Sequence, residues 1–361
     1  MYGNTTSGKC VVQGAEGWGR GAEGLGLGDK PTELPHAPRP KPDTLNPSPL
    51  AQEVQTGLAK SPKRVSSRFF YDAEGSRIFQ EIMHSPEYYL TRSEYEILET
   101  YKADLLRLFT KSDYHSFDLV ELGAGDGLKT KILLGFFMDQ EVDFAYAPID
   151  ISADALDGLV TDVSDLWPDL RLKPQHDDYF NSLQKLSNDT NSRRIVLFLG
   201  SNIGNFTPDE ALVFYQQLHN KLLPGDLVLT GFDLQKHPAV IHAAYNDREG
   251  LTRAFNLNLL RRINRELDAT FDLESFDHYE TYSPETGEAR SYLVSQKNQV
   301  VDIRALDMVV PFQEGEIIHT EISRKFTRSQ IEQLAAKTGF RVDGWFTDSK
   351  GYFADVVFSK V

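Results

Sequence analysis

An α/β fold is predicted for this chain: a largely parallel sheet covered by helices on both faces, with a smaller α+β unit inserted late in it. Three observations predict it. An apolar strand at 118–122 runs into the glycine loop Gly123-Ala124-Gly125-Asp126-Gly127 and then into a helical stretch at 129–137. Strand-like and helix-like segments alternate as far as Asp233, the mark of a parallel sheet with both faces covered. Beyond Asp233 the alternation stops, and helical segments give way to short strands of period two.

Taken in order, residues 1–58 read as a disordered leader. Glycines cluster around Trp18, and Pro31, Pro35, Pro38, Pro40 and Pro42 follow, with no period of 3.6 or 2. The leader lacks the apolar segment of a signal peptide, and catalysis should not need it. From about Lys60 the pattern is that of a folded chain. Ser66 to Asp72 lead into an amphipathic helix at 76–83, a loop at 86–92 and a long helix at 93–108. Sheet strands are expected at 117–122, 144–149, 170–173, 195–199 and 226–230. Helices at 237–245 and 251–267 follow, then strands at 279–282, 290–294 and 300–303. A helix at 328–337 and strands at 341–346 and 352–358 would complete the first sheet. The expected division is therefore 59–92 with 235–325 as a discontinuous substrate-binding domain, and 93–234 with 326–361 as the sheet domain.

Composition narrows the function. A formal charge of −15 and a pI near 5.1 argue against a nucleic-acid partner, because phosphate binding wants a basic face. No apolar run reaches the roughly 20 residues that span a bilayer, so no membrane role is expected. Cys10 is the only cysteine, which excludes a disulfide framework and a cysteine zinc site. No metal is expected, and a cytoplasmic location follows by default. Without heptads or long apolar edge strands, a monomer is expected.

The glycine loop points to a nucleotide-like ligand. Alternate glycines let the backbone turn sharply and let a ligand approach it closely. A dinucleotide fingerprint would need a third glycine where Leu128 stands, and in a phosphate loop Lys129 would follow Gly127 directly. The remaining pattern, acid-x-Gly-x-Gly-x-Gly, is the loop seen in S-adenosylmethionine-dependent methyltransferases. Asp150, at the end of the second strand, is placed to accept both ribose hydroxyls. Asp178 and Tyr179, after the third strand, would meet the adenine amine and the adenine face. The plain alternative is a glycine turn in a non-binding α/β domain; two aspartates at strand ends favour the cofactor. The acceptor should lie where the fourth strand ends, at Gly200-Ser201-Asn202-Ile203-Gly204-Asn205. Asn205 could donate to a carboxylate or accept from an amine.

Five blocks carry a closer resemblance: Phe69-Phe70-Tyr71-Asp72 with Gly75-Ser76 and Phe79; Pro86-Glu87-Tyr88-Tyr89 with Thr91-Arg92; Glu121 to Gly125; Gly200 to Asn205; and Phe255-Asn256-Leu257-Asn258 with Arg261 to Asn264. Together, collinear from about Lys60 to Val361, they resemble the histidine-specific Nα-methyltransferases. These trimethylate the α-amine of free L-histidine to hercynine, the first step of ergothioneine biosynthesis; relatives in the family methylate tryptophan derivatives. The resemblance implies a class I methyltransferase sheet of Rossmann-like form. It assigns cofactor contacts to Gly123, Gly125, Lys129, Asp150, Asp178 and Tyr179. Histidine contacts fall to Tyr88, Gly200, Asn202, Asn205, Tyr245 and the Thr320-Glu321-Ile322-Ser323 segment. Tyr71 and Asn205 would orient the amine during transfer. Glu321 and Ser323 would accept from imidazole N–H groups, which makes Glu321 the specificity residue. Two positions depart from the family. Asn202 stands where threonine is frequent, and Ser291 stands where some members carry methionine against the imidazole.

Overall fold

The computed structural model describes residues 47–111, 116–186 and 193–360. Cys10 and the leader as far as residue 46 lie outside the described residues. The expected leader does not extend to residue 58, because helix α1 (Pro49–Leu58) is already part of the fold. Ser48 caps it by accepting from the Ala51 N–H, and Pro49 occupies the first turn, where its missing donor is no loss. Leu50, Ala51, Val54 and Leu58 fall on one face and are buried.

Strand β1 (Lys63–Arg64) and helices α2 (Ala73–His84) and α3 (Tyr89–Phe109) follow. Helix α3 starts at Tyr89 rather than Ser93, so part of the expected loop is helical. The first crossover is β2 (Phe117–Leu122), α4 (Thr130–Asp139) and β3 (Phe144–Asp150). Helix α5 (Ala153–Leu166), the short strands β4 (Arg171–Leu172) and β5 (Gln175–His176), α6 (Tyr179–Leu186) and β6 (Arg193–Phe198) come next. Helix α7 (Pro208–Lys221) and β7 (Leu227–Asp233) end the alternation. Helices α8 (Pro238–Tyr245) and α9 (Leu251–Leu267) lead to β8 (Phe276–Ser283), β9 (Glu288–Ser295), β10 (Gln299–Ile303), β11 (Met308–Phe312) and β12 (Ile317–Arg324). Helix α10 (Arg328–Thr338), β13 (Phe340–Thr347) and β14 (Phe353–Lys360) complete the described elements.

The main sheet has the order β13-β14-β7-β6-β2-β3-β4, with β5 also on β3. Strands β4, β3, β2, β6 and β7 are parallel, while β14 runs antiparallel between β7 and β13. Strands β2, β6 and β7 are buried along their whole length, as a sheet covered on both faces requires. Of the second sheet, β1-β12-β9-β8, strands β8, β9 and β12 enter between β7 and β13 in the chain, whereas β1 comes before β2. Its core is shared: Leu50 and Val54 of α1, Ile78 of α2 and Phe255 of α9 pack with Leu293 and Ile318 of the sheet.

Strand β12 was not among the expected strands, and its register explains why. Between His319 and Glu321 the pairing with β9 slips, so that His319 faces Tyr292 and Glu321 faces the next residue, Ser291. Thr320 is the extra residue of a β-bulge. Its hydroxyl donates within reach of the Ser291 carbonyl (3.0 Å) and the Asn256 side-chain oxygen (2.8 Å), which pins the bulge to β9 and to α9. Because side chains alternate along a strand, the extra residue moves everything after it to the opposite face. Ile318 points into the core, and beyond the bulge Glu321, Ser323 and Lys325 point the same way. Without it they would face outward.

If α1 is an integral part of the core, Leu50→Ala should lower the unfolding free energy by about 2–5 kcal/mol, the range for truncating a buried leucine. Denaturant unfolding would measure it, and a change under about 0.5 kcal/mol, as at a surface site, would contradict this packing.

Candidate active site

The glycine loop leaves β2 with Gly123 at φ 72° and Gly125 at φ 54°, a left-handed backbone that favours glycine. The Gly123 N–H donates to the Ile149 carbonyl at 2.9 Å, which seats the loop on the end of β3. A Cβ on Gly123 would come within 2.8 Å of the Tyr179 hydroxyl, whereas one on Gly125 would meet nothing within 4 Å. The loop therefore shows bare backbone to open space, the cradle a nucleoside-bearing ligand needs. Asp150 accepts from the Gly125 N–H (3.1 Å) on one oxygen and from the Ser152 N–H (2.9 Å) on the other. Each oxygen keeps a lone pair for a hydroxyl donor. Asp178 accepts from the Phe180 and Asn181 N–H groups, both at 3.0 Å, on one oxygen and from the Asn181 amide on the other. It caps α6 and thereby fixes Tyr179 against the loop.

Beneath the loop lies a carboxylate that sequence reasoning missed. Glu94 of α3 is fully buried and pairs with the Lys129 ammonium. The same carboxylate accepts from the Gly200 N–H at 2.8 and 3.0 Å. One side chain thus ties the helix after the cofactor loop to the loop after β6. Lys129, expected to touch the cofactor, acts here as the partner of Glu94. Asp355 of β14 lies close by, buried and with neither oxygen hydrogen-bonded. Burial, then the charge of Glu94, drives its carboxyl well above the usual range, so it stays neutral.

Following β6, Gly200 and Ser201 are both left-handed, at φ 76° and 55°. For Ser201 this conformation is strained by roughly 1–3 kcal/mol, and its hydroxyl accepts from the Asp233 N–H at 3.1 Å. The Asn202 amide donates to the Leu199 carbonyl (3.0 Å), so it braces the turn. Asn205 ends the turn with its side chain exposed. The turn packs on β12, where a Cβ on Gly204 would lie 2.8 Å from the Arg324 carbonyl oxygen.

Just past the end of β12, Lys325 meets Asp233 from the end of β7. The Lys325 ammonium and the Asp233 carboxylate are both wholly buried, 2.8 Å apart. Lys325 also donates to the Tyr245 hydroxyl (2.6 Å) and to Ser323 Oγ (2.8 Å), which uses all three of its hydrogens. Tyr245 and Ser323 are themselves 2.7 Å apart. One of their two hydrogens serves that contact; the other remains available to a ligand. Asp233 accepts further from the Tyr89 hydroxyl at 2.8 Å and pairs with Lys236. Tyr89, Asp233, Lys236 and Lys325 were all missed. The available signal was an acid ending an apolar strand and a lysine inside an otherwise strand-like run.

Aromatic rings wall the cleft. Tyr71 lies edge-on to Phe79 and Phe255 with centroids 5.5 Å apart in each case, Phe79 to Tyr88 is 6.1 Å, and Tyr88 to Tyr245 is 6.3 Å. Tyr71 is 47 % exposed. Dense packing around its hydroxyl, with a smaller effect from Glu321, keeps that hydroxyl protonated. Its position is fixed by the next residue: Asp72 caps α2 through the Gly75 N–H (2.8 Å) and accepts from Asn258 of α9 (2.7 Å). The Asn256 and Asn258 pair therefore holds both the Thr320 bulge and the turn bearing Tyr71.

Glu321 closes the far end. Close packing pushes its carboxyl up to about 7, and Lys325 and Ser291 oppose the shift. Tyr71, Tyr88, Tyr245, Glu321 and Ser323 are thus gathered around one cleft. Ile322 is not: it pairs with Arg290, on the face where Arg290, Tyr292 and His319 line a separate cavity of about 520 Å³.

A parallel sheet of this order, with one antiparallel strand inserted next to its far edge and a glycine loop after its central strand, defines a class I S-adenosylmethionine-dependent methyltransferase. The family model described as histidine-specific methyltransferase, SAM-dependent, matches residues 50–360, and the chain belongs to that family. It is 36% identical over 304 residues to the histidine N-alpha-methyltransferase of Mycolicibacterium smegmatis, covering 84% of this chain and 92% of that one. To the protein of the same name from Mycobacterium tuberculosis the identity is 35%, over the same shares. The L-tryptophan methyltransferase of Psilocybe serbica is more distant, at 24% identity over 84% of this chain and 91% of its own.

Removing one partner of a buried ion pair leaves an uncompensated charge. Lys325→Met should therefore lower stability by about 3–5 kcal/mol, moderated by Lys236 on the same carboxylate. Thermal and denaturant unfolding would measure it; an unchanged melting temperature would contradict the role given to this pair.

Proposed function

We infer that this enzyme methylates the α-amine of free L-histidine with S-adenosylmethionine, through three transfers to hercynine. The observation that carries this reading is Glu321: a carboxylate among the hydroxyls of Tyr71, Tyr88 and Tyr245, on the same strand face as Ser323. A carboxylate there rewards a ring with N–H donors and penalises an alkyl chain. Residues 59–92 with 235–325 are assigned to the acceptor, and residues 93–234 with 326–361 to the cofactor.

S-adenosylmethionine, held by the Gly123 to Gly125 loop and Asp150, supplies a methyl group already activated on a sulfonium. The protein's own work is to align the amine and to keep water out. Asn205 and Tyr245 are assigned to the amino and carboxylate groups common to all amino acids. Tyr71 and Tyr88 orient the amine. An α-amine is largely protonated at neutral pH, with a pKa of about 8, and only its free lone pair attacks. A proton therefore leaves the nitrogen before each transfer, with water as carrier past the tyrosine hydroxyls. The rings of Tyr71, Phe79 and Tyr88 accommodate the growing quaternary cation, at about 0.5–2 kcal/mol.

The acidic composition and single cysteine accord with a cytoplasmic monomer whose partner is a small molecule. No helix among the described residues is long and apolar enough to cross a membrane.

Incubation with S-adenosylmethionine and a panel of free amino acids, followed by mass spectrometry, should give mono-, di- and trimethylated histidine. Methylated tryptophan with unreacted histidine would overturn the reading. The pH profile supplies a second test. Below about 7 the Glu321 carboxyl is protonated and accepts poorly, so kcat/KM for histidine should rise through that pH as it ionises. Glu321→Gln should erase this inflection, keep the amine's limb at higher pH, and lower kcat/KM roughly 10- to 100-fold, in line with a charge-assisted hydrogen bond of about 1.5–3 kcal/mol. A retained inflection would assign it to another group.

A further inference from the structure

Three oxygen-bearing side chains stand in one row across the second sheet, one each from β8, β9 and β12. Glu280 of β8 is the direct partner of Ser291 on β9, and Ser291 is the direct partner of Glu321 on β12. Ser291 Oγ lies 2.9 Å from one Glu280 oxygen and 3.3 Å from one Glu321 oxygen. A hydroxyl has a single hydrogen and cannot donate to two carboxylates. Both contacts are satisfied together only if one carboxyl is protonated and donates to Ser291 Oγ, while the Ser291 hydrogen goes to the other.

The surroundings decide the direction. Glu280 is only 4 % exposed, and its second oxygen has no hydrogen-bond partner. The Lys325 ammonium favours the charged form of both carboxyls, but for Glu321 it is the largest opposing influence and for Glu280 the smallest. Burial pushes the Glu280 carboxyl up to about 9, above the value of about 7 at Glu321, which gives the same order. The neutral end is Glu280, and the hydrogen-bond chain runs from Glu280 through Ser291 to Glu321.

We propose that Glu280 is a specificity-determining positioning residue, a neutral acid that donates to Ser291 and so aims the Ser291 hydrogen at Glu321. Glu321 is then held as a carboxylate in a fixed orientation, ready to accept from a ring N–H of the acceptor. Glu280 itself does not touch the acceptor. The proposal rests on the reading that Glu321 receives the imidazole of histidine. It also accounts for the serine at position 291: a methionine there would wall the ring but could not relay a hydrogen bond.

The test is a double-mutant cycle read in steady-state kinetics with S-adenosylmethionine and L-histidine near neutral pH, each variant first checked by thermal unfolding. Glu280→Ala should raise the KM for histidine about 3- to 10-fold, the scale of one lost hydrogen bond, with kcat within about twofold. Glu280→Gln keeps an N–H donor and should bring KM most of the way back. Adding Glu280→Ala to Ser291→Ala should raise KM no further than Ser291→Ala alone, because the two act as one chain. An unchanged KM in Glu280→Ala, equal effects of alanine and glutamine, or effects that multiply in the double variant would each overturn the proposal. Should the alanine variant fail to fold, Glu280→Leu, of closer volume, takes its place with the same expectations. A wild type that methylates histidine while ignoring changes at Glu280 overturns this proposal alone; one that leaves histidine unmethylated overturns the functional reading and this proposal with it.

Discussion

The buried pair of Lys325 and Asp233 is the interaction on which the site depends. Asp233 closes a central strand of the main sheet, and Lys325 stands just beyond the last residue of β12 in the inserted one. Two fully buried charges are tolerable only with excellent geometry and every remaining donor and acceptor satisfied. That condition is met by recruiting Tyr245, Ser323, Tyr89 and Lys236. Folding the pair correctly therefore also places the hydroxyls around the acceptor cleft, and it does so with reference to the sheet that carries the cofactor loop. Glu94 performs the same service on the cofactor side, holding Lys129 and the Gly200 N–H on one carboxylate.

This arrangement divides the labour of the active site. The residues proposed to meet ligands sit on loops and cleft walls: Gly123, Asp150, Asn205, Tyr71, Glu321. The charged groups Glu94, Asp233 and Lys325 that fix their surroundings are buried. Such networks are unforgiving, because a half-satisfied one is worse than an apolar core. The left-handed backbone at Ser201 fits the same logic. A conformation unfavourable for serine persists where its hydroxyl is needed by the Asp233 N–H.

The parts of the fold legible in the sequence were those with a clean period or a turn signal. The glycine loop, the parallel strands and the helices α8, α9 and α10 announced themselves in this way. Helix α1 was hidden by its neighbours: proline-rich sequence runs up to it, although Ser48-Pro49 is itself a helix start. Strand β12 was hidden by its bulge, which breaks the alternation by which a strand is recognised. Glu94, Asp233 and Lys325 were invisible for another reason. A charged residue within an element reads as solvated until the tertiary structure shows what surrounds it. Ile322 is the converse, carried into the site by its neighbours although the strand turns it away.

The bulge at Thr320 has a consequence for how β12 can vary. Up to Thr320 the even-numbered positions face inward, with Ile318 in the core; from Glu321 onward the odd-numbered ones do. The strand thus carries two parities, one written for stability and the other for chemistry, and they meet at a single residue that belongs to neither. The Glu321 side chain has no hydrogen bond to the hydrophobic half, whereas Ser323 is tied to Lys325 and Tyr245. The chemistry of the strand can in this way be rewritten at Glu321 while its hydrophobic half keeps the sheet in place.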